Sequence, residues 1–223
     1  MSRRQGSATE DYLKALYMLE GESSGSSLIS TTALAQRMGV SAASATNMLK
    51  KLAALRLVKH QPYKGAELSG AGRRIALEVI RHHRLLETYL AEALGMPWDE
   101  VHDEAEILEH FLSESLEDRI AARLGHPTAD PHGHPIPAKD GSIPPSSARR
   151  LWEVELNEAG VVDRVSDDTA EGLRYLGGIG LRPGASVEVV GRGPVSGPLF
   201  VRIDGSRKRE ALSREMAEAI WVS

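Results

Sequence analysis

The chain has no cysteine among its 223 residues. That absence excludes disulfide frameworks, zinc ribbons and every metal centre built on thiolates. No apolar run approaches the ~20 residues needed to span a bilayer, and no apolar signal core follows Arg3 and Arg4. The expectation is a soluble, cytoplasmic protein with no membrane partner. A strong overall charge is also missing, since the formal net charge is −4. Division along the chain changes that picture. Residues 1–74 hold eleven Lys/Arg against five Asp/Glu, a net +6; residues 75–130 hold four against thirteen, a net −9; residues 131–223 hold twelve against thirteen, a net −1. A basic segment suited to phosphates therefore precedes an acidic one suited to cations. The length suits two modest domains better than one small one.

In the basic segment, Ser7-Ala8-Thr9-Glu10 has the form of a capping box. It predicts an amphipathic helix from Ser7, with Leu13, Leu16, Tyr17 and Leu19 turned inward, ending near Gly21. After a Gly/Ser-rich loop, Ser30 or Thr31 starts a short helix over 32–38 that stops at Gly39. A second helix begins near Ala42, with Ala45, Met48, Leu49 and Leu52 on its buried side. Helix, short Gly-containing turn, helix is the helix-turn-helix pattern, whose second helix enters the DNA major groove. Ser41, Ala43, Ser44, Asn47 and Lys51 lie on the outer side, placed to reach base edges or phosphates. Residues 57–68 form two short strands about a Pro/Gly turn, a wing carrying Lys59 and Lys64. A two-helix corner in an ordinary domain is the alternative; the wing and the local positive charge favour DNA.

In the acidic segment, a long helix is expected over about 73–95, with Ile75, Val79, Leu86 and Leu90 as core positions. His83 and Glu87 stand i,i+4 on one of its faces, a spacing that serves either a surface pair or a shared ion. Pro97 suits the first turn of the next helix, expected to run through 102–110 to about Leu112. At ~100° per residue His102, Glu106, Glu109 and His110 share one stripe beside the apolar stripe of Val101, Ala105, Leu108 and Leu112. Carboxylates and imidazoles crowded beside a core call for a cation or extensive hydrogen bonding; the alternative is a solvated acidic face. A further helix follows from about Ser115 to Gly125, and these adjacent apolar stripes suggest a dimerisation surface.

Residues 126–150 hold six of the eleven prolines together with His126, His132 and His134, and suggest a linker or strap. Beyond it short β-runs are expected at 151–156, 186–190, 199–203 and 219–222, separated by turns such as Arg182-Pro183-Gly184. The segment is too short for a sandwich, and a small barrel fits.

Residues 9–19 (TEDYLKALYML), the helix-turn-helix and wing, His83-Arg84-Leu85-Leu86-Glu87, residues 101–110 (VHDEAEILEH) and Gly133-His134-Pro135-Ile136-Pro137 resemble the diphtheria toxin repressor/manganese transport regulator family of metal-activated bacterial repressors. The resemblance covers nearly the whole chain. It implies an α+β multidomain fold: a winged helix-turn-helix domain at 1–74, a helical dimerisation and metal-binding domain at 75–125, a Pro-rich linker at 126–150 and an SH3-like domain at 151–223. It also implies a primary metal site of Asp11, Glu106, Glu109 and His110, with His83 joining in the manganese branch. An ancillary site would use His83, Glu87 and His102, so His83 is open to either. Asp168 and Glu171 align loosely with positions that reach the ancillary metal in the family; a solvated helix start explains them equally well.

The iron-responsive branch carries Cys where Glu106 stands and Met where Asp11 stands. Carboxylate oxygen suits Mn(II), and thiolate or thioether suits softer metals. The manganese pattern has Glu three residues after Asp11, where this chain has Lys14, a departure that bears on a second, bridging ion. In iron-type relatives an Arg, a Ser and an Asn hold an anion at the ancillary site; Arg84 is kept, and Asp130 and His134 take the other places as possible ligands. The resulting expectation is a Mn(II)-activated homodimeric repressor of metal-homeostasis genes, bound to a palindromic double-stranded operator. An Fe(II)-responsive repressor is the rival reading. A metalloenzyme is disfavoured, because Glu106 removes a His-x-x-Glu-His motif and Ile107 removes a Glu-x-x-His ending at His110.

Overall fold

The computed structural model describes residues 3–22, 28–166, 169–195 and 197–223. It divides into two compact units, one of Met1–His83, Leu108–Leu112 and Pro137–Ser142, the other of Arg84–Ile107, Ser113–Ile136 and Ile143–Ser223. Helices α4 (Gly70–Leu94) and α5 (Val101–Leu108) contribute residues to both.

The first unit opens with α1 (Arg3–Glu22). Its start corrects the expected cap: Ser7 lies inside the helix, because Arg3, Arg4 and Gln5 favour helix and extend it by a turn. The inward face is as expected, with Leu13 and Leu16 fully buried beneath Leu34 of α2 (Thr31–Arg37) and Leu49 and Leu52 of α3 (Ala42–Ala54). Ser30 caps α2 by accepting from the Ala33 amide, and Ser41 caps α3 by accepting from Ser44. The wing is β1 (Val58–Gln61) paired antiparallel with β2 (Gly65–Leu68), Lys59 opposite Glu67. Ile29 extends this ribbon by exchanging two hydrogen bonds with Ala66. Gly65, at φ +132, is needed there, since a Cβ would lie 2.3 Å from the Ile29 carbonyl oxygen.

The second unit contains α6 (Glu114–Arg123), capped by Ser113 rather than Ser115, and a six-stranded antiparallel sheet. The strands are β3 (Arg149–Arg150), β4 (Ala159–Val165), β5 (Ser186–Arg192), β6 (Leu199–Ile203), β7 (Glu210–Leu212) and β8 (Ile220–Val222), in the order β3-β8-β4-β5-β6-β7. Helices α7 (Ala170–Gly178) and α8 (Arg214–Glu218) accompany it. Leu151, Val165, Leu181, Val189, Leu199, Val201 and Ile220 make its fully buried centre. The strand expected at 151–156 is absent: Leu151–Glu153 is a 3-10 turn, and the buried pair Leu151 and Val154 has the spacing of three that such a turn places on one side. Strands β4 and β7 were not foreseen. A bulge between Val162 and Arg164 breaks the alternation of β4, and β7 is only three residues long.

Candidate metal centres

In the first unit three elements converge. The polar side of α1 carries Glu10, Asp11 and Lys14; α4 carries His82 and His83; and α5 gives way at Leu108 to a 3-10 turn, Glu109–Phe111. This turn corrects the expectation of one helix through Leu112. Glu109 opens this turn and is buried, 1 % exposed, whereas the Glu106 side chain, three residues earlier on α5, is 43 % exposed. His82 Nδ1 lies 3.3 Å from the Glu109 carbonyl oxygen and supports the turn.

The donors there form a connected set. His110 sits with Nδ1 2.7 Å from Glu10 Oε2 and Nε2 2.8 Å from Asp11 Oδ1. His110 Nε2 is also 3.8 Å from Glu109 Oε1. His83 Nδ1 lies 2.5 Å from Glu109 Oε2; a carboxylate only accepts, so the imidazole donates. Lys14 Nζ donates to both Glu109 oxygens, at 2.8 and 3.1 Å. The hydrogen bond to Asp11, helped by Glu10 and the charge of Glu109, raises the His110 pKa from its ordinary 6.5 to about 9 against the opposing effect of burial. Donor atoms of Asp11, Glu109 and His110 lie within 4.8 Å of one another. Two carboxylates and an imidazole at that spacing fit a hard or borderline divalent cation such as Mn(II), Fe(II) or Zn(II).

The second unit holds another set. Glu87 is fully buried on α4, with Oε1 3.2 Å from His102 Nδ1. Its Oε2 is 3.8 Å from Nδ1 of His132, beyond hydrogen-bond length. His132 is fully buried, and its Nε2 lies 2.7 Å from the Trp98 carbonyl oxygen. A carbonyl only accepts, so Nε2 carries hydrogen and donates there, which leaves Nδ1 on the side of Glu87. Asp130 Oδ1 accepts from the amides of His132 and His134, at 2.8 and 3.0 Å, which folds the turn. Asp130 Oδ2 makes no hydrogen bond, and lies 3.6 Å from Arg84 Nε and 3.5 Å from His134 Nδ1. Asp130, His132 and His134 present donors within 4.8 Å of one another. Gly133, at φ +89, holds the turn against β4: a Cβ there would lie 2.1 Å from the Asp163 carbonyl oxygen.

The remaining candidate ligands are placed as follows. Glu106 belongs to the second unit, 43 % exposed at its side chain, with Oε1 3.9 Å from His102 Nε2. Glu171 is exposed in the first turn of α7. Asp168 lies outside the described residues. Sequence reasoning left the role of His132 open, because a histidine in a Pro/Gly-rich segment looks like ordinary loop usage. The one signal was the Asp-x-His-x-His spacing over 130–134, which puts three ligand types in five residues.

On α3, Ser41, Ala43, Ser44 and Asn47 are exposed and Lys51 is half-buried. Lys59 is paired with Glu67 at 2.8 Å, while Tyr63 is fully exposed at the wing tip next to Lys64. A groove of about 740 Å³ between α3 and the wing is lined by Thr46, Lys50, His60, Tyr63 and Lys64 among others. Thr46, Lys50 and Tyr63 are candidates that the helix pattern alone did not single out.

A winged helix with an exposed polar second helix, in one chain with buried carboxylate–imidazole clusters, defines the class of metal-dependent DNA-binding regulators. Comparison with known proteins agrees. Residues 6–66 match the iron dependent repressor N-terminal DNA binding domain, 69–138 the iron dependent repressor metal binding and dimerisation domain, and 149–223 the FeoA domain. The iron-dependent repressor IdeR of Mycobacterium leprae is 32 % identical over 226 residues, covering 96 % of each chain. The diphtheria toxin repressor of Corynebacterium glutamicum is 29 % identical over 225 residues, 96 % of this chain and 95 % of its own. Among solved structures, a manganese-dependent transcriptional repressor in complex with manganese matches with TM-score 0.88 and 43 % identity, over 96 % of this chain and 98 % of that one. ScaR with bound Cd2+ matches with TM-score 0.80 and 33 % identity, over 96 % and 98 %. The chain belongs to the iron-dependent repressor family, the metal-dependent transcriptional repressors that include IdeR and the diphtheria toxin repressor.

Proposed function

We propose that this protein is a Mn(II)-activated repressor that acts in the cytoplasm as a homodimer on a palindromic operator and controls metal-homeostasis genes. The carrying observation is the donor set of Asp11, Glu109 and His110, oxygen and imidazole only, in a chain without cysteine. Asp11, Glu106, Glu109 and His110, with His83, are the proposed primary ligands. Glu87, His102, Asp130, His132 and His134 are proposed to serve a second site. The domain limits 1–74, 75–125, 126–150 and 151–223 remain the proposed division of labour. Exposed apolar side chains at Ile107 and Leu116, and at Leu108 and Phe111, supply surface for a second copy.

A divalent ion held by Asp11, Glu109 and His110 would take over the positive charge that the His110 imidazolium and the Lys14 ammonium supply to these two carboxylates. Asp11 projects from the helix whose opposite face, through Leu13 and Leu16, packs under α2 and α3. Holding Asp11 to the Glu109–His110 turn therefore holds the helix-turn-helix. Two recognition helices held in this way match half-sites about one DNA turn, ~34 Å, apart. Making a rare DNA-competent arrangement dominant requires several kcal/mol of preference for it.

The test is a fluorescence titration of promoter DNA with the full-length protein, with and without Mn(II). His110→Ala and Glu106→Ala are expected to abolish metal-dependent binding while the dimer persists; intact metal dependence in either removes that residue from the site. The relatives named as iron-dependent repressors favour Fe(II) as a second reading, and anaerobic titration with each metal separates the two.

A further inference from the structure

The first centre already holds a cation of its own. Lys14 stands one turn beyond Asp11 on α1, on the same face. Its ammonium contacts both oxygens of Glu109, at 2.8 and 3.1 Å, and lies 3.2 Å from His83 Nδ1. The Glu109 side chain is fully buried, and that of Lys14 is 15 % exposed. Asp11 and Glu10 are matched to His110, so Glu109 is met by the Lys14 ammonium together with the His83 imidazole, whose Nδ1 lies 2.5 Å from Oε2. We infer that Lys14 is an internal counter-ion that occupies Glu109 in the metal-free protein and must leave before a divalent cation can bind there, so that Lys14 sets the concentration at which the centre fills. This inference rests on the reading of Asp11, Glu109 and His110 as metal ligands.

A buried carboxylate without a counter-ion is strongly unfavourable, so the metal-free fold needs the ammonium. A divalent cation on Glu109 needs the oxygen lone pairs that the ammonium already occupies. It would also stand within a few ångströms of a like charge in a poorly screened site. The two cations therefore compete. Lysine suits the exchange: its charge is a compact point on a flexible four-carbon stem, and the partial exposure of Lys14 gives it a way out to water. Displacing it costs the same whichever divalent ion enters, so Lys14 shifts the threshold for all of them and leaves their ranking alone.

The test compares wild type with Lys14→Met, which keeps the length and loses the charge. Mn(II) affinity of the full-length protein is read from the loss of the free-ion electron paramagnetic resonance signal, and metal-free stability from thermal melting. Lys14→Met is expected to bind Mn(II) about tenfold or more tightly, with Zn(II) tightened by a similar factor. It is also expected to melt lower than wild type without metal and to gain more on adding Mn(II). Lys14→Gln, whose amide can still donate to Glu109, is expected between the two, and serves the same test if Lys14→Met does not fold. Lys14→Arg, which keeps the charge, is expected to bind no tighter than wild type. Unchanged or weaker Mn(II) affinity on removing the charge would overturn the inference, as would an unchanged metal-free melt. Asp11→Ala separates the two levels: if it leaves Mn(II) affinity intact the metal-centre reading fails, whereas a loss there with no gain in Lys14→Met defeats the Lys14 inference alone.

Discussion

With His110 as a metal ligand, as proposed, its protonation would make metal binding dependent on pH, and the size of the effect follows from the hydrogen bonds around it. Asp11 at 2.8 Å and Glu10 at 2.7 Å favour the imidazolium and hold its pKa at about 9. A pKa raised on folding contributes stability that is fully present below the ordinary 6.5 and is lost as pH rises through about 9. The change corresponds to about 3 kcal/mol for the metal-free protein at low pH. A ligand imidazole must be neutral, so below pH 9 a metal ion bound there would have to displace one proton from His110. Mn(II) affinity should therefore rise about tenfold per pH unit between pH 6.5 and 8. Competition titrations against a fluorescent chelator at several pH values measure the slope, and calorimetry in buffers of different ionisation enthalpy counts the proton. Asp11→Asn, which removes the largest cause of the shift, should flatten the pH dependence of metal-free stability. A level affinity across this range, or the same slope in His110→Ala, would refute the reasoning.

Three further outcomes follow from the geometry. Asp130→Ala leaves the Arg84 guanidinium, 11 % exposed, without its carboxylate and frees two turn amides; urea denaturation should show a loss of about 3–5 kcal/mol, and less for Asp130→Asn. Gly133→Ala sets a Cβ 2.1 Å from a carbonyl oxygen at φ +89, and should destabilise by at least about 2 kcal/mol in the same assay, with weakened metal binding at His132. Lys64→Ala at the wing should weaken operator binding about equally for all sequences and reduce the salt slope by roughly one; a loss confined to the specific operator would show that Lys64 reads bases.

The DNA-binding half was the most legible part. Capping serines, the Gly39 turn and the spacing of Ala45, Leu49 and Leu52 are local signals, and local hydrogen bonds realise them at Ser30 and Ser41. The sheet was less legible. Its strands pair across long separations, β3 and β4 with β8, and the three-residue β7 carries too little pattern to stand out. The acidic stripe misled in one respect. Periodicity treats 102–110 as a single helix, whereas packing ends α5 at Leu108 and turns Glu109 inward.

By itself the sequence determined which chemistry was open to this protein. Without cysteine no metal centre could be built on thiolate, the Asp, Glu and His concentrated beside apolar stripes offered oxygen and imidazole instead, and the charge reversal near residue 75 assigned phosphates and cations to different segments. Tertiary structure decided which of those groups meet. Lys14 and Glu109 stand 95 residues apart, and Glu87 and His132 lie on a helix and in a loop with no common periodicity. Periodicity records only neighbours along one element. The partner of a buried charge is set by which elements close over it, because an ionised group removed from water must find its counter-charge wherever the fold brings one.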